Sequence, residues 1–205
     1  SALRDPDLEI ARRARRCIQE IPFSRTPALL TAAAQVVKAR HPPGATVGLL
    51  ASLPSLDEMV EDAWLDALRE VSLREGRAEP ALVAALTDKR PIRRAAAAHV
   101  LGRASVAELR RRVTPLLIDP DPRVRYEAAA ALVPCGEKKA VPVLTALLTD
   151  APFPLACQAE TLLCVIANSQ GPSIALSNDE TSARRECRDA WAEWWRTHAD
   201  RVNLT

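Results

Sequence analysis

The sequence predicts an all-α fold: an α-α superhelix of stacked helix pairs, about five of them, closed by one further helix. Three observations predict it. An aspartate recurs every 31 residues, at Asp57, Asp88, Asp119 and Asp150, each closing a leucine-containing run and opening a new helical one. A fixed period of this length marks a stacked repeat, because one helix pair cannot bury its apolar face without a neighbour. Hydrophobic residues make up 48% of the chain, yet only Phe23, Trp64, Tyr126, Phe153, Trp191, Trp194 and Trp195 are aromatic, so the apolar mass is Ala, Leu and Val. With Arg and Glu between them these are mostly good helix formers, and small alanines let helices approach closely. Finally, no stretch alternates apolar and polar residues between turn signals, so no sheet is expected.

The first helix is expected from Asp5-Pro6, an aspartate cap followed by a proline whose fixed φ suits the first helical position. Its apolar face is Ile10, Ala14, Cys17, Ile18 and Ile21. Thr26-Pro27 opens a second helix to about 39, and His41-Pro-Pro-Gly44 breaks it. Helix pairs then follow at about 45–52 with 56–72, 80–87 with 91–103, 106–117 with 122–133, and 137–148 with 153–168. Residues 168–179, rich in Ser, Asn, Gly and Pro, form the only long loop. The last helix, about 181–199, places Cys187, Trp191, Trp194 and His198 on one face at i, i+4, i+7 and i+11. The whole chain, 1–205, reads as one domain: an N-terminal repeat at 1–44, core repeats at 45–168, a loop at 169–180 and a closing helix at 181–205.

The net charge of +2 conceals segregation. Residues 1–40 carry eight basic and four acidic side chains, 41–80 three and eight, 81–125 ten and four, and 126–205 seven and ten. Such bands can steer a charged partner. Five cysteines form no CxxC and have no histidine at zinc-ligand spacing. Cys157 and Cys164 lie about 10 Å apart along one helix at ~1.5 Å per residue, too far to bridge. Four of the five cysteines fall in apolar helical patterns, where the thiol acts as a small hydrophobe. No run approaches the roughly 18 apolar residues a membrane span needs. The start at Ser1-Ala2-Leu3 reads as entry into the middle of a repeat, so a piece of a larger protein is expected.

The motif set resembles the HEAT repeat, in its PBS-lyase-like form, where the first helix often carries a proline, the turn an aspartate and the second helix an arginine six residues later. Pro80, Asp88 and Arg94 match, as do Asp119 with Arg125 and Pro142 with Asp150; the corresponding arginine is replaced by Ala63 and Ala156, and Pro115 is displaced. The match is good over about 45–168. It implies that Asp88, Arg94, Asp119 and Arg125 belong to a structural ladder of hydrogen bonds between repeats, not to an active site. The chain is also similar to repeat regions of large bacterial multidomain proteins, which leans towards export, whereas reduced-looking cysteines lean towards the cytoplasm.

Residues capable of catalysis are sparse. His41, His99 and His198 stand beside no serine or cysteine in a nucleophile signature. No His-Glu dipeptide is present, which argues against the iron-holding HEAT-like enzymes. No GxGxxG or GxxxxGK[ST] loop occurs. Glu58, Glu61, Asp62 and Asp66 read as a solvated face near Trp64. No catalytic residue, metal site or cofactor is therefore expected.

The expected function is a non-catalytic scaffold for a protein partner or a neighbouring domain, with Arg93, Arg110, Arg111, Arg112 and Arg123 as its contacts on the concave face. Trp191, Trp194 and Trp195 are expected to cap the end of the stack, each burial contributing roughly 2–3 kcal/mol. Nucleic-acid binding in an arginine-lined groove is the alternative, resembling at its most specific the HEAT-like alkylpurine DNA glycosylases, with Trp64 and Asp66 as a superficial echo of their site. A nearly balanced overall charge disfavours it.

Overall fold

The computed structural model describes residues 27–204 except 57 and 169. The helix expected at the N-terminus, with Cys17 and Phe23, and the first aspartate of the series, Asp57, lie outside the described residues. Those residues form ten α-helices and almost no strand. The described residues divide into two compact units, one running up to residue 100 with 104–106, the other 101–103 with the residues from 107 onward.

In the first unit, α1 (Pro27–Arg40) starts on a proline and ends with Lys38 and Arg40 in its last turn, where cations complement the helix dipole. His41 terminates it in the left-handed region, φ 44, the conformation glycine usually supplies at this position. After Gly44, α2 (Ala45–Ser52) runs into a 3-10 turn at Pro54. The next helix, α3 (Glu58–Ser72), buries Val60, Trp64, Ala67, Leu68 and Val71 at helical spacing. Leu30, Ala34 and Val37 of α1 are buried as that helix packs on α3. The Trp64 indole donates from Nε1 to the Leu49 carbonyl at 3.1 Å, fastening α3 to α2. Two further helices complete the unit: α4 (Pro80–Ala85), and α5 (Pro91–Gly102) as far as Val100.

The expectation of no strand is corrected at one place. Two-residue strands β1 (Leu73–Arg74) and β2 (Arg77–Ala78) pair antiparallel, Leu73 with Ala78 and Arg74 with Arg77. Glu75 and Gly76 both take positive φ, 50 and 75, the geometry of a type I′ hairpin turn. Strands this short are invisible to an alternation rule.

In the second unit, α6 (Ala107–Val113) passes into a 3-10 segment (Thr114–Ile118). The sequence led us to expect one helix over 106–117; Pro115 lacks the N–H that would continue it. At α7 (Pro122–Leu132), the Asp121 side chain caps the helix, accepting from Arg123 N at 2.9 Å and Val124 N at 3.2 Å. A 3-10 turn (Val133–Cys135) and Gly136, φ 83, end it. Then follow α8 (Ala140–Asp150), α9 (Phe153–Ala167) and α10 (Thr181–His198). The starts of α5, α7 and α9, at Pro91, Pro122 and Phe153, keep the 31-residue period of the aspartates. Buried alanines fill the same place in α5 and α7, Ala97 matching Ala128 and Ala98 matching Ala129. Close approach is needed at Gly102, where a Cβ would lie 2.5 Å from Ala131 Cβ.

Helix α10 packs chiefly on α8. Its Trp191 and Trp194 are buried, Trp195 is half-buried, and Cys187 is fully buried, as the predicted face requires. Trp194 stands edge-on to Trp191, stacks on His198 with centroids 5.0 Å apart, and donates from Nε1 to Gln170 O at 2.6 Å. Gly171 leaves room for the Trp191 ring, which a Cβ would approach to 2.7 Å. Leu176 N donates to Glu160 Oε1 at 2.8 Å, so the loop between α9 and α10 is pinned at several points.

Candidate interaction surface

Repeat geometry accounts for a recurring set of charged side chains. Asp88 and Asp119 do the same work at the same register. Asp88 Oδ1 accepts from Arg90 N at 2.8 Å and Asp119 Oδ1 from Asp121 N at 2.9 Å, closing a turn two residues on. Arg94 Nη1 donates to Asp88 O at 2.9 Å and Arg125 Nη1 to Asp119 O at 3.0 Å, each reaching back six residues. Arg125 also lies 3.8 Å from the Asp150 carboxylate at the end of α8.

A second arginine, five residues after an aspartate, ties one repeat to the one before. Arg93 donates from Nε to Leu50 O at 2.9 Å and from Nη1 to Asp88 Oδ2 at 3.1 Å. Arg184 repeats the pattern, from Nε to Leu148 O at 2.7 Å and from Nη1 to Asp179 Oδ1 at 2.9 Å, with Nη2 on Ala151 O. Both carbonyls close the first helix of the preceding pair. Sequence reading missed Arg184. Its signal was the spacing Asp179 to Arg184-Arg185, a copy of Asp88 to Arg93-Arg94.

The arginines expected as contacts therefore sit in different settings. Arg93 is occupied within the fold, its side chain 24% exposed. Arg123 is half-buried in the first turn of α7. The Arg110–Arg112 run is the exposed group: Arg110 is half-buried, and the side chains of Arg111 and Arg112 are 78% and 50% exposed. Both approach the single carboxylate of Glu108, at 3.6 and 3.8 Å.

Resolved shifts in acidity all lead away from neutrality. Lys38 and Arg69 hold the Asp66 carboxyl below its ordinary range. A bond from the Arg90 amide, with Arg93 beside it, does the same for Asp88. Burial pushes the Tyr126 hydroxyl up, and partial desolvation together with the nearby Glu160 carboxylate does the same for the thiol of Cys164. Burial, then the hydrogen bond to Glu160, raises Cys187 to about 12. Acid–base and thiolate chemistry need groups poised near the working pH; these are displaced from it. Of the cysteines expected to act as small hydrophobes, Cys187 does so; Cys135 and Cys164 are exposed, because a 3-10 turn and the outer side of α9 carry them. Trp64 is fully buried, and Asp66 is paired with Lys38 and Arg69.

No helix among the described residues is long and apolar enough to cross a membrane. Residues 79–163 match the sequence model of the family described as HEAT repeats. No curated protein matches the chain.

Proposed function

We propose that this chain, whose residues 79–163 match the HEAT-repeat model, is a non-catalytic scaffold holding a protein partner or a neighbouring domain. HEAT repeats generally mediate protein–protein interaction and are typically non-catalytic. The observation that carries the reading is the division of the charged side chains. The turn aspartates and Arg93, Arg94, Arg125 and Arg184 are taken up by bonds within the fold, whereas Arg111 and Arg112 project from α6 with one shared carboxylate. Partner contacts on this reading centre on Arg110, Arg111 and Arg112, with Arg123 at the start of α7. On this reading Trp191, Trp194 and Trp195 of α10 cap the second unit.

Charge reversal of Arg110, Arg111 and Arg112 together tests the proposal. Native affinity capture should lose the partner that the unaltered chain retains, while the melting temperature changes little. Retention of the same partner, or a fall of many degrees in melting temperature, contradicts it.

The same arginine run supports a second reading, a nucleic-acid groove. Against it, Glu108 approaches both Arg111 and Arg112, and the only tryptophan outside α10, Trp64, has no face available for stacking. Salt dependence separates the two, since several phosphate contacts cost orders of magnitude in affinity between about 50 and 200 mM salt.

A further inference from the structure

The hairpin between α3 and α4 brings two arginines together without pairing either. Arg74 and Arg77 stand directly opposite each other where β1 meets β2, on either side of the Glu75-Gly76 turn. Residues opposed in this way share one face of the ribbon, with Cα atoms about 5.5 Å apart at a hydrogen-bonded pair. Both residues are exposed. Among the described residues neither side chain takes part in an ion pair or a hydrogen bond. Glu75 lies in the turn and Glu79 follows β2, and neither carboxylate pairs with them. Elsewhere the fold answers exposed and half-buried arginines with carboxylates: Arg69 with Asp66, Arg93 with Asp88, Arg196 with Glu193. Like charges directly opposite in a sheet oppose folding, and this turn cannot splay to relieve them. Gly76 lies against Val106, whose Cγ2 would stand 2.9 Å from a Cβ there. Beyond the Leu73–Ala78 pair, Glu79 N donates to Ser72 O at 2.9 Å.

We propose that Arg74 and Arg77 jointly receive a phosphate monoester group, carried on a phosphorylated side chain of a protein partner or on a free small molecule. Charge and acceptor number select it. A carboxylate has one charge and two oxygens, which a single guanidinium fork satisfies, leaving the second arginine unpaired. A phosphate diester also has a single charge, on two free oxygens. A monoester near neutral pH carries about −1.5 to −2 and three acceptor oxygens, enough for both forks at once. Its arrival turns the repulsion between the arginines into a shared attraction. The assignment does not rest on the contacts given to Arg110–Arg112, so each can fail without the other.

The test titrates the full chain with methyl phosphate, dimethyl phosphate and acetate at constant ionic strength, following the arginine Nε–H resonances by NMR. Methyl phosphate should shift the Arg74 and Arg77 resonances together and saturably. It should bind more tightly at about pH 7.5 than at about pH 5.5, because its second ionisation lies near 6. Arg74→Gln and Arg77→Gln should each weaken that binding by about ten-fold, the size of one charge-assisted pair. Neither substitution should lower the melting temperature, since each removes a like-charge contact. A phosphoserine peptide separates the sources: binding tighter than methyl phosphate supports a protein partner, and equal binding supports a free phosphate compound. Absence of saturation by methyl phosphate, equal binding of acetate or dimethyl phosphate, or indifference to both substitutions overturns the assignment.

Discussion

At the scale of single residues, the arginines divide by where their hydrogen bonds end. Arg184 places three donors on Leu148 O, Ala151 O and Asp179, with its side chain only 12% exposed. Truncation leaves two helix-end carbonyls without that partner, and hydrogen bonds to a charged group contribute about 1.5–3 kcal/mol. Arg184→Ala should therefore cost about 2 kcal/mol in denaturant unfolding. Arg93→Ala should cost less, because its side chain is more exposed and makes fewer bonds. Lysine should not rescue Arg184, since a point charge cannot span the same acceptors.

Titration belongs to the same scale. The Asp66 and Asp88 carboxyls are depressed below the ordinary value of 3.8. Their stabilising contribution is full above that value and is lost as pH falls through the folded-state values. Asp66→Asn should flatten part of the acid limb of a stability–pH curve. Cys187 has the opposite sign. Its thiol is raised from 9.0 to about 12, so its contribution is full below 9.0 and fades as pH rises towards 12. Cys187→Ala should flatten the alkaline limb, and an unchanged slope there would show that the buried thiol is not the group responsible.

Helices make the next scale, and here the fit between packing and sequence can be tested at Gly102. A methyl at this position would meet Ala131 Cβ at 2.5 Å, and overpacking of this kind costs about 1–3 kcal/mol. Gly102→Ala should be destabilising despite its better helix propensity; a gain in melting temperature would contradict the close approach. The elements also show what a sequence reader can and cannot see. Pro27, Pro80, Pro91 and Pro122 mark helix starts because a fixed φ and a missing N–H suit only the first turn. Those boundaries and the 31-residue register were legible. Pro115 was also visible, but the continuation of α6 as 3-10 helix beyond Val113 depends on local backbone compromise. The Glu75-Gly76 hairpin is too short for periodicity. The surface was less legible than the fold. Arg93 and Arg94 are adjacent and chemically identical, and only the fold shows that both turn inward, one to the Leu50 carbonyl and one to the Asp88 carbonyl.

At the scale of the whole molecule, the proposed partner surface at Arg110–Arg112 falls within the stretch 79–163 that matches HEAT repeats. Because Arg111 is 78% exposed, Arg111→Glu should change unfolding free energy by no more than about 0.5 kcal/mol, a separation of binding from stability that a repeat-ladder residue such as Arg184 should not show. The most direct measurement is anisotropy of labelled single- and double-stranded DNA with the chain, at about 50 and 200 mM salt. A protein scaffold predicts no saturable binding even at the lower salt. Saturable binding that collapses at the higher salt would contradict that claim and make the arginine run a phosphate-tracking groove.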